Sequence, residues 1–299
     1  MKSGFVSFLG RPNSGKSTLL NRIVGRKLAI VSDKPQTTRT RIVGVKNYPD
    51  RGQVVFLDTP GVHKPMHRLN VRMVDAALEA MREVDIVALI VDVCVKPGRG
   101  DRFLLGVLDG VTSPVILALN KVDLIPKPRL LPIIERYRTA HSFAEIVPIS
   151  ALDGTNVDVL ERLFLQYLPS GEPLYPPDYL TDQPERVFVA EIVREQVLRL
   201  THEELPFATA VVVDRFEEPG EGKLLRLYCT ILVERESQKP IVVGKAGGMI
   251  KQIGTSAREE LERFFGLKVY LALHVKVRSE WRDDARLLDE MGVTGRAGS

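Results

Sequence analysis

Eight consecutive residues, Gly10-Arg11-Pro12-Asn13-Ser14-Gly15-Lys16-Ser17, carry the spacing GxxxxGK[ST]. Glycine in such a loop lets successive backbone N–H groups turn inward around a phosphate. A helix starting at its end adds partial positive charge. Lys16 then reaches the outer phosphates, and the Ser17 hydroxyl is a ligand for Mg²⁺. The flanks suit that role, because the apolar run 5–9 reads as a strand and 18–24 as a helix start. Gly10, Asn13, Ser14, Gly15, Lys16, Ser17 and Thr18 are therefore candidate phosphate-site residues. A glycine-rich turn with a stray lysine would need neither flank.

A phosphate loop does not choose a base. Asn120-Lys121-Val122-Asp123 does, since it ends the apolar strand 114–119. The Asp123 carboxylate is able to accept both N1–H and N2–H of guanine, a donor pair that adenine lacks, and the wrong base would leave it unpaired. Ser150-Ala151-Leu152 follows another short strand and offers backbone N–H groups to the guanine oxygen. Asp58-Thr59-Pro60-Gly61 ends the run 54–57, with Asp58 placed to hold Mg²⁺ through water and Gly61 to offer an N–H to a γ-phosphate. The polar stretch 33–40 sits where a mobile switch loop belongs, and one of its threonines should close on the metal. Thr38 is preferred and Thr37 competes. Such loops are ordered by the γ-phosphate and released on hydrolysis.

Val62 follows Asp58-x-x-Gly61 where Ras-like proteins carry a water-positioning glutamine, and valine forms no hydrogen bond to water. Slow intrinsic hydrolysis is expected, dependent on a partner or a cation. Potassium-stimulated GTPases hold an asparagine at the place of Asn13, which makes Asn13 the candidate K⁺ ligand. His63 and His67 read as solvated loop histidines rather than general bases.

In the second half, Gly244-Lys245-Ala246-Gly247, followed by Gly248 and Lys251, has the form of a GxxG loop. Absent side chains there let a nucleic-acid backbone approach closely, beside a groove for unstacked bases. Gly244, Lys245, Ala246, Gly247, Gly248 and Lys251 are the candidate RNA contacts; Arg258, Lys268, Lys276 and Arg278 rank below them. A plain glycine-rich helix start is the alternative. Trp281 reads as a core anchor.

These residues must be positioned by regular elements. Strand-length apolar runs at 5–9, 54–57, 86–91, 115–119 and 146–149 alternate with helical stretches such as 69–82. That alternation implies an α/β domain with a mainly parallel sheet, whose ligands bind beyond the carboxyl ends of the strands. Four prolines within 169–177 mark a linker. The expected organisation is a nucleotide domain over 1–170, a proline-rich linker over 171–184 and a smaller α+β domain over 185–299. In the latter, 186–193 reads as a strand, 194–200 as a short helix, and 209–216 with 224–233 as a hairpin. A helix follows with an apolar face of Ile250, Ile253, Ala257, Leu261 and Phe264, then a strand over 268–277 and a short helix over 281–291.

The 299 residues suit two domains, with ordinary globular composition and a net charge of +4. Residues 1–172 carry 24 Lys/Arg against 17 Asp/Glu, whereas 173–299 carry 18 against 21, so an RNA site in the second half must be local. Cys94 and Cys229 read as buried small hydrophobes. The chain enters its first strand at once and no apolar run approaches membrane-spanning length, so a cytoplasmic protein is expected.

The ordered set Gly10–Thr18, Pro35-Gln36-Thr37-Thr38-Arg39, Asp58–Val62, Asn120–Asp123 and Gly244–Gly247 resembles the Era family of bacterial GTPases. So do Tyr175-Pro176-Pro177-Asp178-Tyr179 and the run Arg199–Pro206. The resemblance covers essentially the whole chain. It implies a P-loop GTPase domain followed by a type II KH domain, Mg²⁺ as cofactor, and binding of single-stranded RNA near the 3′ end of 16S rRNA. It also implies a role in 30S subunit assembly. Peripheral membrane association is described for the family, but no amphipathic or lipidated segment here supports it. Two other readings are a tRNA-modification GTPase, which would carry a folate-binding domain upstream, and a protein-directed switch with a merely structural GxxG loop. Nothing in the sequence demands an oligomer, and a monomer is expected.

Overall fold

A computed structural model describes residues 1–34, 37–61, 68–80, 84–201, 205–219 and 224–293. The first part is built from β1 (Lys2–Leu9), α1 (Lys16–Val24), β2 (Ile42–Tyr48), β3 (Gly52–Asp58), α2 (Arg68–Glu79), β4 (Ile86–Asp92), α3 (Arg99–Leu108), β5 (Val115–Asn120), α4 (Leu130–Ala140), β6 (Glu145–Pro148) and α5 (Val157–Tyr167). Its six strands order as β2-β3-β1-β4-β5-β6. All pairings are parallel except β2 with β3. The interior strands read as unbroken apolar runs because both faces are covered, α1 and α5 packing on one side and α2, α3 and α4 on the other. Each expected strand of this part coincides with one of these, the run 146–149 extending one residue past the end of β6. The antiparallel edge strand β2 is an addition.

The second part comprises α6 (Glu185–Leu200), α7 (Leu205–Ala208), β7 (Ala210–Glu217), β8 (Leu224–Val233), α8 (Lys239–Val243), α9 (Gly248–Phe265), β9 (Lys268–Val277) and α10 (Ala285–Glu290). β8 is central, antiparallel to β7 and parallel to β9. With α6 and α9 on one core, this is the α-β-β-α-α-β arrangement of a type II KH domain. The expected hairpin, the long helix and the final strand are present.

Three expectations are corrected. The stretch 186–193 is not a strand, because Glu185–Leu200 is one helix. Phe188, Val189, Ile192, Val193 and Val197 pack on the KH core, while Arg194 and Glu195 are buried against Thr37 and Val31 of the first domain and Gln196 is buried against Glu260 of α9. A helix covered on two sides loses the polar face by which periodicity identifies it. Phe264 lies outside the buried face of α9 at 39% exposure, against Phe188, and Ile250 is half-buried. Cys94 is exposed in the turn after β4, where the strand has left the core, whereas Cys229 is buried in β8.

The segment between α5 and α6 lies along the β2–β3 edge. Leu174 and Tyr175 N–H groups donate to Gln53 Oε1 at 2.8 and 2.9 Å, and Val45 N donates to the Leu180 carbonyl. Among the described residues no helix is long and apolar enough to cross a membrane.

Candidate active site and nucleic-acid interface

The phosphate loop occupies the turn between β1 and α1, at the carboxyl edge of the sheet. Gly15 has φ +97°, and a Cβ there would stand 2.2 Å from Asn120 Nδ2. That contact identifies the loop's support. Asn120 Nδ2 donates to the Ser14 carbonyl at 2.8 Å, and its Oδ1 accepts from Ala151 N–H at 2.9 Å. Asn120 thus ties three expected motifs together, and it engages the Ala151 N–H itself. Ser150 and Ala151 are buried, Leu152 is 70% exposed at the rim, and Arg22 Nε donates to the Ala151 carbonyl at 3.0 Å. Lys121 has φ +69° and pairs with Asp92 at 2.6 Å. Asp123 is exposed. Neither Arg22 nor Asp92 belongs to a motif, so the sequence carries no local signal for them.

Lys16 is buried and donates to the Gly10 and Arg11 carbonyls at 3.1 and 3.2 Å. Burial pulls its ammonium down to about 8, against the opposing pull of Asp58. Asp58 is wholly buried, and burial raises its carboxyl above the ordinary range although Lys16, Ser17 and Thr38 favour the charged form. Ser17 Oγ donates to Asp58 Oδ2 at 2.7 Å and lies 2.8 Å from Thr38 Oγ1. Thr37 instead donates its hydroxyl to the Lys34 carbonyl at 2.6 Å. Of the two threonines only Thr38 joins the Ser17–Asp58 cluster. Asp58 Oδ1 has no hydrogen-bond partner. An orphaned carboxylate oxygen beside two hydroxyls is a set of hard oxygen donors that fits Mg²⁺.

A cavity of about 220 Å³ joins Asn13, Gly15, Lys16, Ser17, Thr18, Thr37, Thr38, Gly61 and Lys121. A Cβ on Gly61 would stand 2.7 Å from the Pro12 backbone, so no larger residue fits so close to the phosphate loop. Asn13 has φ +63° and its Nδ2 donates to the Asp33 carbonyl at 2.5 Å. Pro35, Gln36, Val62, His63, His67 and 202–204 lie outside the described residues.

In the KH part, Gly244 and Gly247 both have φ +76°, with Lys245 and Ala246 exposed between them. A Cβ on Gly244 would meet the Met249 backbone at 2.6 Å. Gly248 opens α9, and Lys251 is exposed on its first turns. Beside them a groove of about 440 Å³ runs between α9 and β9, lined by Ile250, Lys251, Gly254, Arg258, Tyr270 and Leu273 among others. Of the secondary candidates Arg258 joins this groove, while Lys268 and Arg278 pair with Glu262 and Asp284. Trp281 is fully buried, as expected of an anchor.

The two domains meet at the switch segment. Arg194 of α6 donates to the Thr37 carbonyl, and Arg39 Nη1 donates to the Thr209 carbonyl at 3.0 Å. The Arg39 guanidinium sits 5.2 Å from the Trp281 ring centre. Leu69 and Met73 of α2 share a core with Trp281, Leu287, Leu288 and Val293. None of these contacts has a sequence signal, because each joins residues far apart in the chain.

A phosphate loop, a guanine-type NKxD tetrapeptide and a KH fold in one chain define a GTPase fused to an RNA-binding module. The family model described as 50S ribosome-binding GTPase matches residues 5–121, and the KH domain model matches 204–282. GTPase Era of Geobacter metallireducens is 52% identical over 293 residues, 98% of each chain. The Staphylococcus haemolyticus GTPase Era is 48% identical over 291 residues, 97% of each. The chain belongs to the Era family of GTPases. Among solved structures, a tyrosine-to-alanine variant of Aquifex aeolicus Era bound to GDP·AlF4⁻ superposes with a TM-score of 0.94 at 42% identity. That match covers 98% of this chain and 100% of the other. Era in complex with MgGDPNP and nucleotides 1506–1542 of 16S ribosomal RNA gives 0.95, also at 42% identity, over 98% and 99%.

Proposed function

We propose that this GTPase binds single-stranded RNA near the 3′ end of 16S rRNA and acts in maturation of the 30S subunit in the cytoplasm, as a monomer. The proposed organisation is a GTPase domain over 1–170, a linker over 171–184 and a KH domain over 185–299. The observation that carries the reading is the clamp on the switch segment: Thr37 and Arg39, flanking Thr38, are both held by the RNA-binding part. A nucleotide that moves Thr38 therefore moves contacts of the KH domain. A solved family member holds MgGDPNP and the 16S segment together, which supports the same pairing.

In this reading Lys16 and the loop N–H groups of residues 13–18 bind the phosphates, and Asp123 selects guanine. Ser17 and Thr38 ligate Mg²⁺, with Asp58 holding it through water; the ion supplies charge neutralisation at the β- and γ-phosphates. A phosphate beside Lys16 and a cation beside Asp58 each remove a charge penalty that burial now imposes. Asn13 carries a side-chain oxygen at the phosphate rim and is the proposed K⁺ ligand; faster turnover in KCl than in NaCl, lost in Asn13→Ala, is the expected outcome. In the KH part, Gly244 to Gly248 admit the RNA backbone while Lys245 and Lys251 supply charge.

The test is binding of a labelled 16S 3′-end oligonucleotide by the full chain against a scrambled control. Selective binding, weakened at least about tenfold by Lys245→Glu with Lys251→Glu, is expected. Equal binding of both oligonucleotides, unchanged in that variant, would favour a switch that acts on proteins.

A further inference from the structure

We propose a second RNA-binding surface on the exposed face formed by α3, α4 and the segments that lead into them. It grips the phosphate backbone of a helical RNA segment. The proposal rests on the reading of the protein as an RNA-binding GTPase and adds a separate contact to it.

The charge of the GTPase domain is concentrated here. Residues 95–141 hold eight Lys/Arg against four Asp/Glu, a net of +4, which is more than half the +7 of residues 1–172. Lys96, Arg99, Arg102, Lys127, Arg129 and Arg136 are all exposed. Among the described residues none of the six is in an ion pair, whereas neighbouring Arg138 is paired with Glu135 at 2.9 Å. The acidic residues do not cancel this charge. Asp101 is buried and held by Arg11 and the Gly98 N–H, Glu135 is taken by Arg138, Asp123 belongs to the proposed guanine site, and Asp109 lies at the far end of α3.

Topology gathers the six cations. β4 and β5 are parallel neighbours, so the segments leaving their carboxyl ends emerge side by side. One carries Lys96 and Arg99, the other Lys127 and Arg129. α3 and α4 lie on the same side of the sheet, and Tyr137 OH approaches Asp101 Oδ1 at 3.5 Å between them. The KH part covers the neighbouring helix α2, through Arg72 with Asp289 and through Met73 in the Trp281 core, whereas among the described residues no ion pair joins it to α3 or α4.

The shape selects the form of RNA. Unstacked bases need a groove with stacking platforms, as between α9 and β9. The α3–α4 face is two adjacent helices bearing point charges, which matches rows of phosphates in a duplex. Val95, Phe103, Leu124 and Leu131, exposed at 46%, 50%, 64% and 71%, are apolar features of this face, and an apolar protein contact through them would be insensitive to salt.

The test uses the full chain and a fluorescent RNA hairpin of about 16 base pairs, tetraloop-capped and without a single-stranded tail. Three proteins are compared with wild type: Arg99→Glu/Arg102→Glu/Arg129→Glu, the same positions changed to Gln, and Lys245→Glu/Lys251→Glu. The charge-reversed protein is expected to bind the hairpin at least about tenfold more weakly at 0.1 M salt, with a salt slope shallower by about 2 to 3. The Gln protein should show an intermediate loss, which separates charge from misfolding. Basal GTP turnover and binding of the 16S 3′-end oligonucleotide should stay at wild-type values in both. The Lys245/Lys251 variant should keep hairpin binding and lose the oligonucleotide. No hairpin binding by wild type, unchanged binding in both arginine variants, or loss of hairpin binding only in the Lys245/Lys251 variant would overturn the proposal. Absence of oligonucleotide binding by wild type would count against the proposed function alone, since the hairpin reads the α3–α4 face independently.

Discussion

Asn120 holds Ser14 in place: the side-chain amide of the base-reading motif donates to a carbonyl of the phosphate loop 106 residues away, at 2.8 Å. The same side chain accepts from Ala151 N–H, so the parts of the site that read base and phosphate share one rigid support. Truncation in Asn120→Ala leaves two buried backbone groups unpaired, at about 1–3 kcal/mol each. GDP affinity measured by calorimetry should fall at least about tenfold, with only a small change in secondary structure. Unchanged affinity would mean that the phosphate loop holds its shape without this bridge.

Asp123 is exposed and free to accept from a base, whereas its neighbour Lys121 is fixed by Asp92. In Asp123→Asn an amide replaces one acceptor with a donor that faces guanine N–H groups. GTP affinity should drop by about a hundredfold and xanthosine triphosphate, which offers a carbonyl there, should bind in its place. Competition between the two nucleotides reads the exchange directly; retention of guanine preference would remove Asp123 from the base site.

The Trp281 indole donates to the Ala208 carbonyl at 2.9 Å and supports the Arg39 guanidinium. Trp281→Ala should lower stability by about 3–5 kcal/mol through the cavity it creates. Trp281→Phe keeps most of the packing but orphans Ala208, and should cost about 1–3 kcal/mol. Urea unfolding monitored by circular dichroism ranks the three proteins. An alanine variant as stable as wild type would show that this core does not join the domains.

Glu195 lies between the domains, facing Lys27, Glu260 and the Val31 N–H. Burial raises its carboxyl above the usual range, the pull of Lys27 and the Val31 bond notwithstanding. A raised folded-state value means that the native state binds the proton more tightly than the unfolded chain. The associated stability is present below the unfolded value near 4.5 and is lost as pH rises through the folded value. Glu195→Gln mimics the protonated form. Its stability relative to wild type should therefore increase between about pH 4 and neutrality, measured from urea midpoints at each pH. A difference that shrinks over that range would reverse the sign.

What was legible in the sequence is chemistry confined to short segments. The phosphate loop, NKxD and GxxG each place several candidate functional atoms within a few residues, so their spacing alone marked where to look, while the Asn120 bridge between Ser14 and Ala151 has no such local signal. The strands of the parallel sheet were legible for a related reason, being buried on both faces and hence uniformly apolar. Where burial breaks the local pattern, reading failed. α6 is rich in Val, Ile and Phe and is covered on two sides, so it mimics a strand; β2 ends in polar residues at a sheet edge; Cys94 ends an apolar run but sits beyond the core. The interdomain clamp was beyond reach because Arg39, Arg194 and Trp281 acquire their roles only when the two domains are packed.

The central claim is that the nucleotide site and the KH groove are coupled through the clamped switch segment. The most direct measurement is the affinity of the full chain for a labelled 16S 3′-end oligonucleotide in its GDPNP and GDP complexes, together with the affinity for GDPNP with and without saturating oligonucleotide. The account predicts tighter RNA binding with GDPNP by about 5- to 150-fold, and the same factor in the reciprocal measurement. Equal RNA affinity in the two nucleotide states would contradict it.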